Sequence, residues 1–285
     1  QSFFGGNDQP RLNIRGSGVQ SNPVNRGVQL LYDGLPLNQS DGSFVIGFLD
    51  PKSADMIAVY RGANGLRYGA TTLGGAVNLL SNNGTNSQSL VRTESGSDGR
   101  LGIQGQLSGQ GQSWDYYVSA SRDEYDGYRH HSSSERSNIN ANFGFDISEN
   151  VNNRTYVNVS DNYFEIPFVV PKARALQDPQ LILGDGETPL DKLFNIYNRK
   201  PHRDSQLNRV ANKTRISQGN ALHEIGIYAQ ELEDTFTDPL KHNVTNSRDI
   251  GMEYAFNISG DFLTQHDDFL VSLSFNQSDM ERDYH

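Results

Sequence analysis

The sequence predicts a mainly β protein: a small mixed α/β domain, followed by antiparallel strands of a large transmembrane β-barrel that is incomplete within the chain. Three observations lead there. From about residue 88 apolar and polar residues alternate strictly over runs of about ten, which places them on opposite faces of a strand and suits the roughly 25 Å apolar band of an outer-membrane barrel. The polar face is almost wholly Asn, Ser, Gln, Gly and Asp, as a wet lumen requires. The connections also alternate between long (124–135, 165–208, 233–247) and short (109–112, 148–153, 219–220), as outer loops and inner turns of such barrels do.

The first part, 1–86, reads differently. It is Gly-rich and irregular, with short apolar runs at Val28–Tyr32, Met56–Tyr60 and Ala76–Leu80 that predict strands. Asp33-Gly34 closes the first run with a turn signal, and Pro51 to Asp55 predicts a short helical turn with Pro at an early position. The second part, 87–285, carries nine predicted strands: 88–97, 100–109, 113–123, 136–147, 154–164, 209–218, 221–232, 248–258 and 268–279. Trp114, Tyr116, Val118 and Ala120 share one face of the third; Ile139, Ala141, Phe143, Phe145 and Ile147 share one face of the fourth. Ile250, Met252, Tyr254, Phe256 and Ile258 repeat the pattern, as do Phe269, Val271, Leu273 and Phe275. A soluble β-sandwich, as in a secreted carbohydrate-binding or adhesion protein, also alternates. Its strands are usually shorter, about five or six residues. Nine is odd, whereas single-chain bacterial barrels have even numbers, and an open sheet edge is not tolerated in lipid. The chain is therefore expected to continue beyond His285 as part of a longer protein.

Composition narrows the function classes. Only 35% of the residues are hydrophobic, yet 10% are aromatic, which argues against disorder. A net charge of −10 argues against a nucleic-acid partner. There are no cysteines, so neither a disulfide nor a thiolate metal site is available. No apolar run approaches the roughly 20 residues of a membrane-spanning helix. The His130-His131 pair reads as a solvated loop rather than a metal site, and the Gly65–Gly75 stretch lacks the ending of a phosphate loop. Neither a Ser/His/Asp order nor a paired-carboxylate spacing rises above chance, so no enzyme, cofactor or metal is expected.

Ile14-Arg15-Gly16, Asp33-Gly34-Leu35-Pro36, Arg61-Gly62 with Tyr68-Gly69, and Gly74-Gly75-Ala76-Val77-Asn78 occur in that order. This run resembles the late plug domain of TonB-dependent receptors, with its I-R-G, D-G-x-P, R-G…Y-G and G-G-x-x-N pieces. The resemblance is close over 11–80 and covers the rest only in style. Neither a TonB box nor the first half of a plug is visible. It implies a Gram-negative outer-membrane transporter, a monomer, with TonB and its inner-membrane energising complex as partner and outer-membrane lipid around it. The cargo it implies is a scarce nutrient, a ferric siderophore before cobalamin, haem, a saccharide or a small cofactor such as pyrroloquinoline quinone; a signalling receptor shares the fold. By position it implies ligand contacts from Arg15 and Gln20, from Asn38, Gln39, Ser40, Asp41 and Phe44, and from the outer-loop residues Tyr128, Arg129 and His130. It further implies ion pairs between the plug residues Arg61 and Arg67 and the barrel residues Glu224 and Glu253, since a cation inside a barrel is costly unless paired.

Overall fold

The computed structural model describes residues 12–14, 16, 26–62, 65, 68, 74–184, 186, 188–261 and 267–284. Arg15, Gln20 and Arg67 lie outside them. Two sheets organise the chain.

The first contains β1 (Val28–Tyr32), β2 (Leu35–Pro36), β3 (Ala54–Arg61) and β4 (Gly75–Ser81), in the order β2-β1-β4-β3. β1 and β2 form a hairpin through Asp33 and Gly34, both at positive φ (53° and 84°), the backbone that an Asp-Gly two-residue turn adopts readily. β1 runs parallel to β4, and β3 closes the sheet antiparallel to β4. All five residues of β1 are buried, Gln29 included, so the strand is covered on both faces rather than alternating between core and solvent. The expected helical turn is a 3-10 turn at Pro51–Ser53, capped by the Asp50 side chain, which accepts from the Lys52 amide. No α-helix occurs among the described residues of this part.

The second sheet contains nine antiparallel strands in sequential order: β5 (Leu90–Ser95), β6 (Leu101–Gln110), β7 (Trp114–Tyr125), β8 (Ser134–Ser148), β9 (Val151–Glu165), β10 (His202–Gln218), β11 (Ala221–Thr237), β12 (His242–Gly260) and β13 (Asp267–Tyr284). The nine expected strands are all present, and several run further than the pattern suggested. β10 begins at His202 rather than 209, because Arg203, Ser205 and Leu207 continue the buried face through a segment whose charges read as a loop. β11 and β12 likewise extend into the expected 233–247 loop, leaving only 238–241 between them. The strands thus continue past the roughly ten residues that cross a bilayer.

One face of this sheet is polar and buried: Gln104, Ser119, Ser121, Asn138, Asn140, Asn142, Asn158 and Ser160. The other is apolar and exposed, with Trp114, Val118, Ile139, Phe143 (49% exposed), Phe145, Ile227, Ile250 and Phe275. Among the described residues no second sheet covers it, which excludes the sandwich arrangement. β5 and β13 each pair on one side only, so the sheet is open.

The first sheet packs on the polar face. Val28, Leu30, Tyr32, Leu37, Phe44, Phe48, Val77 and Leu79 form its core, into which Leu207 and Leu232 of the wall also insert. Full burial of one such Leu stabilises by about 1.5–3 kcal/mol. Leu35 at the hairpin tip packs separately against Tyr156, Ala211 and Tyr228.

The 36 residues between β9 and β10 are not irregular. They form α1 (Lys172–Gln177), α2 (Pro189–Phe194) and α3 (Ile196–Arg199) around a small core of Ile182, Leu183 and Ile196. Asp191 orders this loop. Its carboxylate takes Nη1 of Arg174 at 2.8 Å, the Thr188 hydroxyl at 2.5 Å and the Gly184 amide.

Candidate functional site

Chain connectivity defines the ends of the large sheet. The short turns at 111–113, 149–150 and 219–220 mark one end; the 166–201 loop and the 126–133 loop mark the other, here called outer. The loop after β2 rises toward this outer end, and its shape is set by its own side chains. Asn38 accepts from the Leu30 amide at 2.7 Å and donates to the carbonyls of Val28 (3.0 Å) and Gly42 (3.1 Å). Gln39 accepts from the Ser43 hydroxyl at 2.7 Å, and the two residues also bond through their backbones. Gly42 has φ +78°, a turn backbone that side chains rarely adopt.

A cleft of about 200 Å3 opens between this loop and the outer ends of β10–β13. Gln39, Ser43, Phe44 and Val45 line its inner side; Arg203, Asp234, Phe236, Asn243, Thr245, Arg282 and Tyr284 line the wall. Arg203 grips Asp234 through two bonds, Nε at 2.6 Å and Nη2 at 2.8 Å, with Ser205 donating to the same carboxylate. Asp41 joins the loop to the wall. It meets Arg26 at 2.5 Å and Arg282 at 3.3 Å and accepts from the Ser43 amide at 2.9 Å. Burial opposes its charge, but the Ser43 and Arg26 hydrogen bonds outweigh it and hold the carboxyl down at about 2. Arg203 and Arg282 thus share the cleft with the carboxylate of Asp234, while Arg26 and Asp41 pair at its rim.

Of the residues singled out from sequence, Gln39 and Phe44 line the cleft, Asp41 ties its rim, and Ser40 is exposed on the loop. Asn38 holds the loop from below. Tyr128 and His130 are exposed on the 126–133 loop, and their backbones bond to Gln180. Arg129 is turned away from solvent: its guanidinium donates to the carbonyls of Phe168 (2.8 Å), Pro167 (3.3 Å) and Leu181 (2.8 Å). It anchors the long outer loop, and desolvation lowers its pKa. His131 bridges the two ends of the same loop, 3.1 Å from Glu165 and 2.8 Å from the Pro201 carbonyl. The two adjacent histidines thus point to different tasks.

The inner end holds a second cleft, of about 260 Å3, lined among others by Asp33, Leu35, Tyr60, Lys213, Arg215, Glu224, Gly226 and Glu253. The structure does not bring Arg61 to Glu224 or Glu253. Arg61 is exposed at the end of β3 and forms no ion pair among the described residues. Glu224 is held instead by Lys213 (3.1 Å) and Arg215 (2.8 Å) of the neighbouring strand, and Glu253 accepts from Ser274 at 2.5 Å. Cations of the wall reach the N-terminal domain in the opposite sense: Arg209 donates to the Pro36 carbonyl at 2.6 Å and Lys213 to the Asp33 carbonyl at 3.2 Å. Among the described residues only Lys52 runs the other way, to Asp123 (2.6 Å) and Glu94 (3.3 Å).

Sequence reasoning missed Arg203, Asp234, Thr245 and Arg282. Each sits on the polar face of a strand near its outer end, so the alternation, extended past the apolar band, could have located them. Their meeting with residues 39–45 had no signal along the chain.

Residues 1–76 match the family model described as TonB-dependent Receptor Plug Domain. The whole chain superposes on the unliganded ferric citrate transporter FecA with a TM-score of 0.72 at 12% identity, covering 99% of this chain and 44% of that one. The siderophore receptor PirA from Acinetobacter baumannii gives 0.67 at 12% identity over 96% and 44% of the two chains. The ferric yersiniabactin uptake receptor FyuA from Yersinia pestis gives 0.65 at 15% identity over 91% and 41%. The N-terminal domain is thus a TonB-dependent receptor plug, and the nine-stranded sheet has the fold of the barrel of these receptors. The chain spans less than half the length of the solved receptors it matches.

Two outcomes follow from this geometry. Replacing Arg129 by Ala removes three carbonyl anchors at once; limited proteolysis should then cut within 166–201 while the barrel stays intact, and an uncut loop would contradict the anchoring role. A carboxyl held below its ordinary range contributes stability that is complete above pH about 4 and is lost as pH falls toward the folded value. Asp41→Asn should therefore speed hydrogen exchange at 39–43 equally at pH 5 and pH 8. The difference from the parent should shrink only below about pH 4.

Proposed function

We propose that this chain, a TonB-dependent receptor plug docked on receptor-type barrel strands, is part of an outer-membrane active transporter of a Gram-negative bacterium, which draws a scarce nutrient into the periplasm with energy supplied by TonB. One observation carries the reading: a plug domain rests on the polar face of a sheet whose opposite face is apolar and uncovered. A sheet wet on one side and greasy on the other suits a barrel wall in lipid, and a domain lodged on its wet side calls for an energised displacement before cargo can pass. We place the boundary between plug and barrel near residue 86.

A ferric siderophore is the cargo the outer cleft supports best. Arg203 and Arg282 line it beside one carboxylate, Asp234, and aromatic Phe44, Phe236 and Tyr284 complete a lining that suits an anionic, ring-bearing chelate. The names of the matched structures, a ferric citrate transporter and a ferric yersiniabactin uptake receptor, agree in direction. The Arg61 and Arg67 pairings with Glu224 and Glu253 find no support in the positions of Arg61 and Glu224.

Two measurements test this. The full-length protein containing this chain should require detergent or lipid for assembly, and Phe143→Arg should impair that assembly at a cost of about 2–4 kcal/mol near the midplane; normal assembly of the variant in water would end the barrel reading. Arg282→Gln should weaken binding of anionic ferric chelates about tenfold, the equivalent of about 1.4 kcal/mol, while leaving neutral chelates unaffected. Equal affinities for both classes would remove the anionic-siderophore assignment.

A further inference from the structure

The outer and inner clefts lie against the same wall. The outer one is bounded by Arg203 on β10, Asp234 on β11, Thr245 on β12 and Arg282 on β13; the inner one by Lys213, Glu224, Glu253 and Ser272 of the same four strands in the same order. Each is smaller than the roughly 300 Å3 at which ligand pockets begin. Some eight to ten residues of each strand, roughly 25–35 Å, separate them. Within this stretch Leu207 and Leu232 insert into the plug core. Arg209 lies there too, buried, bonding to the Pro36 carbonyl and to Gln230 at 2.6 Å each, with its guanidinium 4.7 Å from the Tyr228 ring centroid. Gln230 passes the contact on to Asp249, which also accepts from Ser247.

Among the described residues this wall makes fewer polar contacts with the plug than its neighbour does, while Leu207 and Leu232 insert into the plug core from it. Toward β6–β9 the plug is fixed by the Lys52 ion pairs, by Asp50 with Ser121 (3.4 Å) and Asn140 (3.3 Å), by Tyr32 with Asn140 (3.1 Å), and by Asn142 with the Asn82 carbonyl (2.7 Å). Gly84 adds a bond to Asp115 at 2.9 Å. Toward β10–β13 the polar tethers among the described residues are Arg209 to Pro36, Lys213 to Asp33 and Arg282 to Asp41, two of them to backbone carbonyls. Local opening begins where such contacts are few.

We propose that the passage opened during uptake runs along the β10–β13 wall, joining the outer cleft to the inner one, with Arg209 as the pin that holds the Asp33–Pro36 hairpin shut against it. The small polar side chains of Ser247, Asp249, Asn276 and Ser278 line the way between, on the faces of β12 and β13 turned to the plug. The inference rests on the transport reading, but its geometry is tested apart from it.

Within these 285 residues there is no cysteine, so any other cysteine of the full-length protein is first replaced by serine and the introduced pairs are then its only thiols. A Cβ at Gly226 stands against the Leu35 side chain, and one at Gly47 against Asn162, so Leu35→Cys with Gly226→Cys staples the plug to the proposed passage wall, and Gly47→Cys with Asn162→Cys staples it to β9. Each double variant of the full-length protein is inserted in a planar bilayer, oxidised or reduced, and exposed to urea below the concentration that unfolds the barrel. Oxidised Leu35→Cys/Gly226→Cys should lose the urea-induced ion conductance, reduction should restore it, and the β9 staple should leave it intact. Conductance lost in both, in neither, or only with the β9 staple overturns the proposal. The same variants in cells are then given iron-55-labelled ferric citrate, a catecholate chelate and a hydroxamate chelate. Binding should survive both staples, and uptake should fail only with Leu35→Cys/Gly226→Cys; uptake blocked equally by both means the plug moves as a unit and ends the route. If the conductance behaves as expected while the reduced proteins import none of the three chelates, the siderophore reading fails and the passage stands.

Discussion

A strip of asparagine, serine and glutamine side chains on one face of the large sheet must find hydrogen-bond partners away from bulk water, and the rest of the structure depends on how it does so. The plug supplies partners to Gln104, Ser121, Asn140 and Asn142, while Asn158 and Ser160 bond within the wall. Asp50 is the centre of the arrangement: 1% exposed, it caps the 3-10 turn through the Lys52 amide while accepting from Ser121 and Asn140 of the wall. Burial raises its pKa in spite of these donors. Tyr32 adds a phenol shared between Ser53 of the plug and Asn140 of the wall, and burial raises its pKa too. A buried carboxyl left without these partners would cost several kcal/mol, so plug and wall specify each other's position.

The charges follow the same logic in an unexpected direction. A cation inside the barrel needs a partner, and the expectation from resemblance was plug arginines facing wall glutamates. Here Glu224 is neutralised within the wall by Lys213 and Arg215, and the wall's own Arg209 and Lys213 use plug carbonyls as acceptors. A carbonyl is a weaker and less specific partner than a carboxylate. Such tethers hold the hairpin without locking it, whereas the Lys52–Asp123 pair on the other wall combines charge with a 2.6 Å bond. The two walls thus hold the plug by different means, charged and polar bonds on the Lys52 side and, on the other, carbonyl tethers, the Arg282–Asp41 pair and the packing of Leu207 and Leu232.

The outer surface is built on similar terms. Arg129 spends its donors on three carbonyls of the 166–201 loop, His131 spans the neck of that loop, and Asp191, held at about 2 chiefly by its hydrogen bonds with Thr188 and Arg174, orders its helices. Arg129, expected by position among the ligand contacts, here bonds to the loop's own carbonyls, and the exposed Tyr128 and His130 lie at its edge. Side-chain type alone could not separate the two uses, because a guanidinium binds a backbone carbonyl and a bound anion with the same geometry.

The period-two alternation gave the faces of β7, β8, β12 and β13, with Trp114 and Phe143 facing out and Asn140 facing in, because the pleat turns successive side chains to opposite sides whatever the partner strand. The Asp33-Gly34 turn and the Asp50-capped Pro51 turn were equally legible, since each depends on backbone preferences of adjacent residues. Strand ends were less so: residues 202–208 are charged enough to pass for loop, and only pairing with β9 and β11 makes them strand. The outer cleft could not be read at all. It joins residue 39 to residue 284 across two sheets, and which inward-facing side chain meets which plug atom is decided by how far around the wall, and at what height, the plug comes to rest. That is a property of packing between distant segments, which no local pattern along the chain records.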